Sequence, residues 1–280
     1  MRVGVGLPNT TPGADGALIV DWARRAEESN LSTLAVLDRI VYESYDPFTA
    51  LAAAAAVTER IRLATMIAIG PLRNVGILAK QAGSVAALSG GRMTLGLAVG
   101  AREDDYEVAG VSQRGRGQVL SDQLAFLRGR WEESGIGPGP TLRGDVELLV
   151  GGGSGPAYAR MARYADGYAH GGGPPKAFAS AAARARAAWS DLGRPGEPRL
   201  WGQVYFALGD EHVEAADTYL RDYYAFTGPF AEKIAAGNLT SARAIKDYIR
   251  GYEEEGCDEL ILLPTVSSID QLERLAEVLG

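Results

Sequence analysis

Short apolar runs alternate with longer amphipathic stretches along the whole chain. The short runs are apolar at nearly every position, which is typical of parallel strands that are buried on both faces of a sheet. Eight such strands are predicted, at Val3–Leu7, Thr33–Leu37, Ile61–Ile67, Arg92–Val99, Val146–Val150, Gly167–His170, Leu200–Leu208 and Glu259–Leu263.

The stretches between these strands carry apolar residues at helical spacing. The pair Asp46-Pro47 is a typical helix start, because Asp caps the free amides and Pro tolerates the first helical position. Helices are predicted at Ala17–Ser29, Pro47–Thr58, Asn74–Ser89, Arg116–Trp131, Pro156–Tyr164, Pro175–Leu192, Glu211–Phe226, Ser241–Glu255 and Ser268–Leu279.

Eight strand–helix units within 280 residues predict a (β/α)8 TIM barrel of the α/β class, with residues 1–280 as one domain. A doubly wound open sheet is the structural alternative, although it usually has fewer strands at this length. Two segments interrupt the alternation. Glu132–Asp145 is rich in Gly and Pro, and Thr227–Leu239 is a candidate lid over the barrel mouth.

Composition and charge exclude several classes of function. A net charge of −7 argues against nucleic-acid and anionic-membrane surfaces, which need a basic face. The single cysteine, Cys257, cannot form an intramolecular disulfide, which fits a cytoplasmic protein. His170 and His212 lack metal-ligand spacing, so no metal site is expected. His212 is expected at the surface.

The clearest chemical signal is the glycine-rich turn Gly151-Gly152-Gly153-Ser154, which lies between a predicted strand and a predicted helix. Such a turn lets backbone amides approach an anion, and the helix start adds its positive dipole end. It lacks the lysine of a nucleoside-triphosphate loop and the spacing of a dinucleotide fingerprint, so it predicts a mononucleotide-like phosphate. A flexible turn is the alternative. The turn Gly171–Gly173 after the next strand is expected to share that phosphate.

Several segments together resemble the bacterial-luciferase-like family of flavin- and F420-dependent oxidoreductases, and the resemblance covers nearly the whole chain. They are Tyr45–Leu51, Thr58–Thr65, Pro71–Asn74, Leu78–Gln81, Leu88–Leu97, Asp166–Tyr168 and Asp258–Pro264.

The resemblance implies a cofactor ring across the barrel mouth, with its phosphate at Gly152, Gly153, Ser154, Gly171 and Gly172. It also implies a strand-three bulge whose Met66–Ile67 peptide is cis and presses on the ring. Asp38, Gly100 and Asp104 are the further cofactor contacts that it implies.

Asp38 and His170 are the candidate catalytic residues. Related F420-dependent enzymes often carry Asp-His where this chain has Asp38-Arg39. An arginine stays charged and cannot replace an imidazole acid, so Arg39 is a candidate substrate clamp together with Tyr42. The alternatives are an Asp38 anchored by Arg39, a packing His170 and a Tyr42 that only lines the rim. Of Trp201 and Gln203, one is expected to point into the barrel.

The predicted function is oxidation or reduction of a small organic substrate with F420, or with FMN as the alternative. Arg39, Arg73, Arg102 and Arg160 favour F420, because its tail is acidic. A flavin or F420 reductase is the expected partner, and the resemblance suggests a homodimer through the second and third helices. A sugar-phosphate lyase or isomerase and a non-catalytic ligand-binding barrel are the other classes considered.

Overall fold

The computed structural model describes residues 1–138 and 146–280. Its eight strands pair in chain order, all parallel, and close into a barrel. They are β1 (Arg2–Gly6), β2 (Thr33–Val36), β3 (Arg62–Ile69), β4 (Met93–Ala98), β5 (Glu147–Gly151), β6 (Gly167–Ala169), β7 (Arg199–Phe206) and β8 (Glu259–Pro264). The predicted TIM barrel is confirmed, and each predicted strand is present.

Eleven α-helices lie within the described residues. They are α1 (Gly16–Glu28), α2 (Pro47–Ala55), α3 (Val75–Leu88), α4 (Glu103–Val108), α5 (Arg116–Gly129), α6 (Gly155–Tyr164), α7 (Pro175–Asp191), α8 (Val213–Tyr223), α9 (Phe230–Ala235), α10 (Ala242–Glu254) and α11 (Asp270–Leu279). Sequence patterning did not predict α4 and α9, because helices of six residues are too short for a clear amphipathic period.

Local sequence explains where the helices near the mouth begin. Asp46 caps α2 by accepting a hydrogen bond from the amide of Thr49 at 2.9 Å. Asn74 caps α3 in the same way, from the amide of Gly76 at 2.8 Å. Each cap satisfies a free amide of the first turn, and each is readable from the sequence.

The core has two layers, one between strands and helices and one inside the barrel. Inward residues such as Ala64, Leu149 and Trp201 fill the barrel interior. The expectation that only one of Trp201 and Gln203 points inward was wrong. Residues two apart on a strand share a face, so Trp201, Gln203 and Tyr205 all face the barrel axis, and Gln203 bonds toward the mouth at Gly171.

Residues 224–239, here called the cover segment, lie against the carboxyl end of β7. Leu239 pairs with Phe206, donates its amide to the carbonyl of Tyr205 at 2.9 Å and accepts from the amide of Ala207 at 3.0 Å. The predicted lid therefore sits at the mouth. The other interruption, Glu132–Asp145, begins with a short 3-10 turn, and its residues 139–145 lie outside the described chain. No helix of the described residues combines the length and apolar character needed to cross a membrane.

Candidate active site

One side of the barrel mouth is open to solvent, while the rest is closed by tyrosines and loops. This open rim consists of residues that are partly or fully exposed at the carboxyl ends of β3 to β6. They are Ile67, Val99, Gly100, Gly152, Gly153, Ser154, His170 and Gly171. All of these residues except Val99 were proposed for the site from the sequence, either individually or as part of a loop after a strand. The fold brings them together at one edge of the barrel.

Strand β3 is bulged where it reaches the rim. Its register with β4 shifts between Thr65 and Ala68, and the Met66–Ile67 peptide bond is cis, as the family resemblance led us to expect. Two glycines make room for the bulge, since a Cβ on Gly96 or Gly151 would lie 2.9 Å from the side chain of Ile67. Met66 itself is buried inside the barrel, so Ile67 is the residue of this pair that reaches the rim.

The glycine-rich turn after β5 presents unpaired backbone donors. Ser154 is the N-cap of the ten-residue helix α6, and its side chain makes no capping hydrogen bond. Within the described chain, the amides of Gly153, Ser154 and Gly155 donate to no protein acceptor outside regular ladders. Gly152 has a φ of +122°, which only glycine adopts readily. We call residues 152–155 the amide cradle, because this arrangement suits an anion at a helix start.

The neighbouring turn after β6 carries His170. Burial lowers the pKa of this imidazole, although contact with the backbone of Gly172 acts in the opposite direction. His170 is therefore neutral near pH 7. Its ring packs edge-on against Phe178 at 5.7 Å between centroids, and its Nε2 has no hydrogen-bond partner in the described chain. A neutral imidazole with a free nitrogen can accept or donate one hydrogen bond.

Asp38 is held by Arg73 rather than by Arg39. Its side chain is 1% exposed, accepts from the amide of Ile69 at 2.7 Å and pairs through both oxygens with the guanidinium of Arg73. Burial acts to lower the pKa of Arg73, but the charges and hydrogen bonds of Asp38 and Asp46 together outweigh burial and raise that pKa. Asp38 thus fastens the loop after β2 to the end of the bulged strand β3.

Arg39 lies beneath the rim, with a side chain that is 3% exposed. Its Nε is 3.2 Å from the carboxylate of Asp105, and its guanidinium lies over the rings of Tyr42 and Tyr223 at 5.1 and 5.0 Å. Asp105 is fully buried and also accepts from the amides of Ile40 and Val41. This pair holds the loop after β2 against α4. The role of Arg39 as a substrate clamp stays a prediction.

Sequence reasoning singled out Asp104 and overlooked Asp105. Asp104 is about one third exposed and pairs with Arg102, whose guanidinium lies over the ring of Phe226 at 4.8 Å. No sequence pattern marks Asp105, because the six residues of α4 are too few for a clear amphipathic period; only the folded chain shows that Asp105 and Tyr106 are buried together. The contact of Asp104 with a cofactor stays a prediction.

Tyrosines close the other side of the mouth. Tyr205, Tyr219, Tyr223 and Tyr224 are all buried or nearly so, and burial raises the pKa of each hydroxyl. Tyr42 packs edge-on against Tyr223 and donates to the carboxylate of Asp222 at 3.0 Å. These hydroxyls therefore remain protonated and act as hydrogen-bonding groups rather than as bases.

A cavity of about 310 Å³ lies between the cover segment and the turn after β6. Gly171, Gln203, Tyr205, Tyr224, Phe230 and Ile234 are among the residues that line it. Gln203 is 7% exposed, and its side-chain oxygen has no donor within the described chain. Since buried amide oxygens are normally hydrogen-bonded, this oxygen is suited to a ligand that carries an N–H or O–H group.

Comparison with known proteins identifies relatives in sequence and in fold. The chain is 32% identical over 216 residues to the uncharacterized protein Rv0940c of Mycobacterium tuberculosis, covering 64% of this chain and 74% of the relative. The fold is shared with an F420-dependent secondary alcohol dehydrogenase bound to an F420-acetone adduct (TM-score 0.82, 15% identity, 99% and 97% of the two chains).

A second fold match is the oxygenating component of 3,6-diketocamphane monooxygenase from Pseudomonas putida in complex with FMN (TM-score 0.70, 17% identity, 100% and 96% of the two chains). The sequence model of the luciferase-like monooxygenases matches residues 1–261. The chain belongs to the luciferase-like monooxygenase family.

Proposed function

We propose that this protein is an oxidoreductase that uses F420 to transfer a hydride to or from a small organic substrate. FMN-dependent monooxygenation with a separate flavin reductase is the second candidate. The amide cradle carries the proposal, because it offers three adjacent backbone donors beside an open rim. Family membership supports the reaction class, and the fold matches include proteins bound to F420 and to FMN.

The residues present fit such a cofactor. Gly153, Ser154 and Gly155 would hold its phosphate, since their amides are free and a helix start follows them. The bulge at Ile67 and the glycine at position 100 would support one face of the ring; a Cβ on Gly100 would lie 2.7 Å from Ile69. When bound, the ring supplies the hydride or oxygen chemistry.

The chain's own groups would position the reactants and control protons. His170 is neutral, because burial lowers its pKa, so it would act as an uncharged hydrogen-bonding group; its Nε2 is buried and has no partner in the described chain. The carboxylate of Asp38 already accepts from Ile69 and Arg73. We therefore propose that Asp38 positions the strand-three bulge rather than acting as the proton donor. The tyrosines that close one side of the barrel mouth would exclude water from the reacting groups.

We place the substrate in the cavity beneath the cover segment. Its aromatic and aliphatic lining favours a largely apolar molecule, and the free oxygen of Gln203 would accept a hydrogen bond from it. Gln203→Leu is expected to raise KM for a substrate with an N–H or O–H donor while leaving cofactor affinity unchanged. Equal KM values for the variant and the parent would remove Gln203 from substrate recognition.

The test of the proposed function is a titration of the purified protein with F420 and with FMN, followed by absorbance and fluorescence. We expect saturable binding of F420. Gly155→Pro deletes one cradle amide while Pro suits the first helical position, and Ser154 already has the extended backbone (ψ 155°) that a following Pro requires. Any residue with a Cβ at position 155 is strained by the following Pro156, so the control must carry a Cβ as well. Losing one hydrogen bond to a charged group should weaken binding at least tenfold.

Gly155→Ala is the matched control, because it keeps the amide and its Cβ meets no atom within 4 Å. Equal affinities for both variants would refute the amide cradle. Tight FMN binding without F420 binding would favour the monooxygenase candidate. Binding of both cofactors without turnover of any alcohol, aldehyde or ketone would favour a non-catalytic barrel.

We further propose a homodimer through α2 and α3. Ile77 and Leu88 on α3 are 57% and 63% exposed, and they lie three helical turns apart on one face, where a second copy of the chain would cover both. Ile77→Lys should lower the molar mass measured by light scattering to that of a monomer. Leu192→Lys, at a similarly exposed site after α7, should not. A monomeric parent protein would refute the dimer.

A further inference from the structure

A groove of about 550 Å³ runs between the first half of α5 and the length of α6 on the outer wall of the barrel. Gly117, Gln118 and Ser121 line one side, and Pro156, Arg160 and Arg163 are on the other. No carboxylate is among its lining residues, although the whole chain carries a net charge of −7. The groove is therefore a local basic surface on an acidic protein.

Arg160 is built into this groove. Its Nε donates to the carbonyl of Gly117 and to the hydroxyl of Ser121, both at 3.0 Å, which directs the terminal nitrogens along the groove. Glycine at position 117 is needed for this approach, because a Cβ there would lie 2.6 Å from a terminal nitrogen of Arg160.

Neither Arg160 nor Arg163 forms an ion pair with a carboxylate of the described chain. By contrast, Arg39, Arg73 and Arg102 are paired with Asp105, Asp38 and Asp104. Of the four arginines that the sequence offered for an acidic tail, only Arg160 therefore has no carboxylate partner within residues 1–138 and 146–280. Arg163, one helical turn further along α6, adds a second available charge.

The groove begins at the amide cradle. Pro156 lines it and directly follows the cradle residue Gly155. With a rise of about 1.5 Å per residue, Arg160 lies roughly 9 Å and Arg163 roughly 13 Å along the helix axis from Ser154. An anionic chain that leaves a phosphate in the cradle and follows α6 would meet both guanidinium groups in turn.

We propose that this groove, here called the tail groove, binds the oligoglutamate tail of F420 through Arg160 and Arg163. The inference rests on the proposed function, because it takes the phosphate to lie in the amide cradle. FMN ends at its phosphate and would leave the groove unused. Each glutamate adds a carboxylate, and a guanidinium binds a carboxylate through two parallel hydrogen bonds.

The test compares dissociation constants for F420 without glutamates and for F420 with short and long tails, measured by fluorescence titration. We expect tighter binding with the first glutamates and no further gain once both arginines are occupied. Arg160→Gln with Arg163→Gln should weaken binding of long-tailed F420 about fivefold to twentyfold, as two half-exposed ion pairs permit. The same variant should bind tail-free F420 as the parent does.

Arg243→Gln is the matched control, since it removes one positive charge from α10, where Arg243 is 92% exposed and pairs with Asp247. It should leave all these constants unchanged. Gly117→Ala displaces Arg160 without changing charge and should reproduce part of the loss. Raising the salt concentration should erase the advantage of long tails.

Three outcomes overturn the proposal, and each has a different meaning. Equal affinities for tail-free and long-tailed F420 would refute the tail groove while the proposed function stands. Binding of FMN but of no form of F420 would refute both. A loss in the double glutamine variant that is the same for tail-free F420 would mean that the arginines support the cradle rather than a tail.

Discussion

Breaking the pair between Asp38 and Arg73 should destabilise the whole fold. Removing one partner of a buried ion pair typically costs about 3–5 kcal/mol, because the other charge stays buried. Here Asp38 is 1% and Arg73 12% exposed, and Asp46 lies 3.4 Å from Arg73 and offsets part of the loss. For Asp38→Ala we therefore expect a decrease in the free energy of unfolding near the lower limit, about 3 kcal/mol.

The assay is urea unfolding, followed by circular dichroism and tryptophan fluorescence with coincident transitions. Asp38→Asn keeps an acceptor for the amide of Ile69 but removes the charge, and Arg73→Gln removes the partner. The two changes combined should cost about 2 kcal/mol less than the sum of the separate changes. The exposed pair of Asp21 and Arg25, 48% and 42% exposed, is the control; Asp21→Asn should cost under about 0.5 kcal/mol.

A stabilising ion pair is refuted if Asp38→Asn unfolds like the parent and its effect adds simply to that of Arg73→Gln. Such a result, with loss of turnover in Asp38→Asn, would restore Asp38 as a catalytic residue. Destabilisation with the expected coupling would support the positioning role.

Three further predictions follow from the rim and the core. Gly152→Ala should destabilise the protein by about 1–3 kcal/mol, because φ is +122° and the new Cβ would lie 3.0 Å from Ala157. Gly153→Ala is the control and should change the unfolding midpoint little, because its Cβ would have open space around it. Equal effects of the two variants would contradict this prediction. Since the pKa of His170 in the folded protein is lowered from 6.5, the unfolded chain takes up the proton first as the pH falls. The free energy of unfolding should therefore decrease below about pH 6.5, and this decrease should be smaller in His170→Gln. Identical pH profiles of unfolding would argue against it. Burial raises the pKa of the Cys257 thiol to about 12. The folded protein should therefore not react with a thiol reagent near pH 8, whereas the denatured protein should react fully. Rapid labelling of the folded protein would contradict this prediction.

Local sequence patterns were sufficient to predict the barrel and the glycine-rich turn that forms the amide cradle. A strand buried on both faces and a capped helix are specified by neighbouring residues, as at Asp46 and Asn74. The glycine turn after β5 is equally local, because its free amides and left-handed backbone follow from four successive residues.

The ion pairs at the mouth could not be predicted in this way. Adjacency in sequence suggested that Arg39 holds Asp38, but the two side chains diverge after the strand. Asp38 pairs with Arg73, 35 positions away, and Arg39 pairs with Asp105 of helix α4. Which charges meet depends on how the loops after β2, β3 and β4 converge, and this convergence is a property of the closed barrel.

The sequence by itself therefore determined the number of strands, the helix starts and the glycine-rich turn after β5, because each depends on residues within a few positions of one another. Only the tertiary structure decided which arginines are neutralised at the mouth and which remain available. Closure of the barrel buries Arg39 and Arg73 against carboxylates, while Arg160 faces a groove without any. Charge availability depends on partners that are distant along the chain, and this is the physical reason why only the folded structure reveals it.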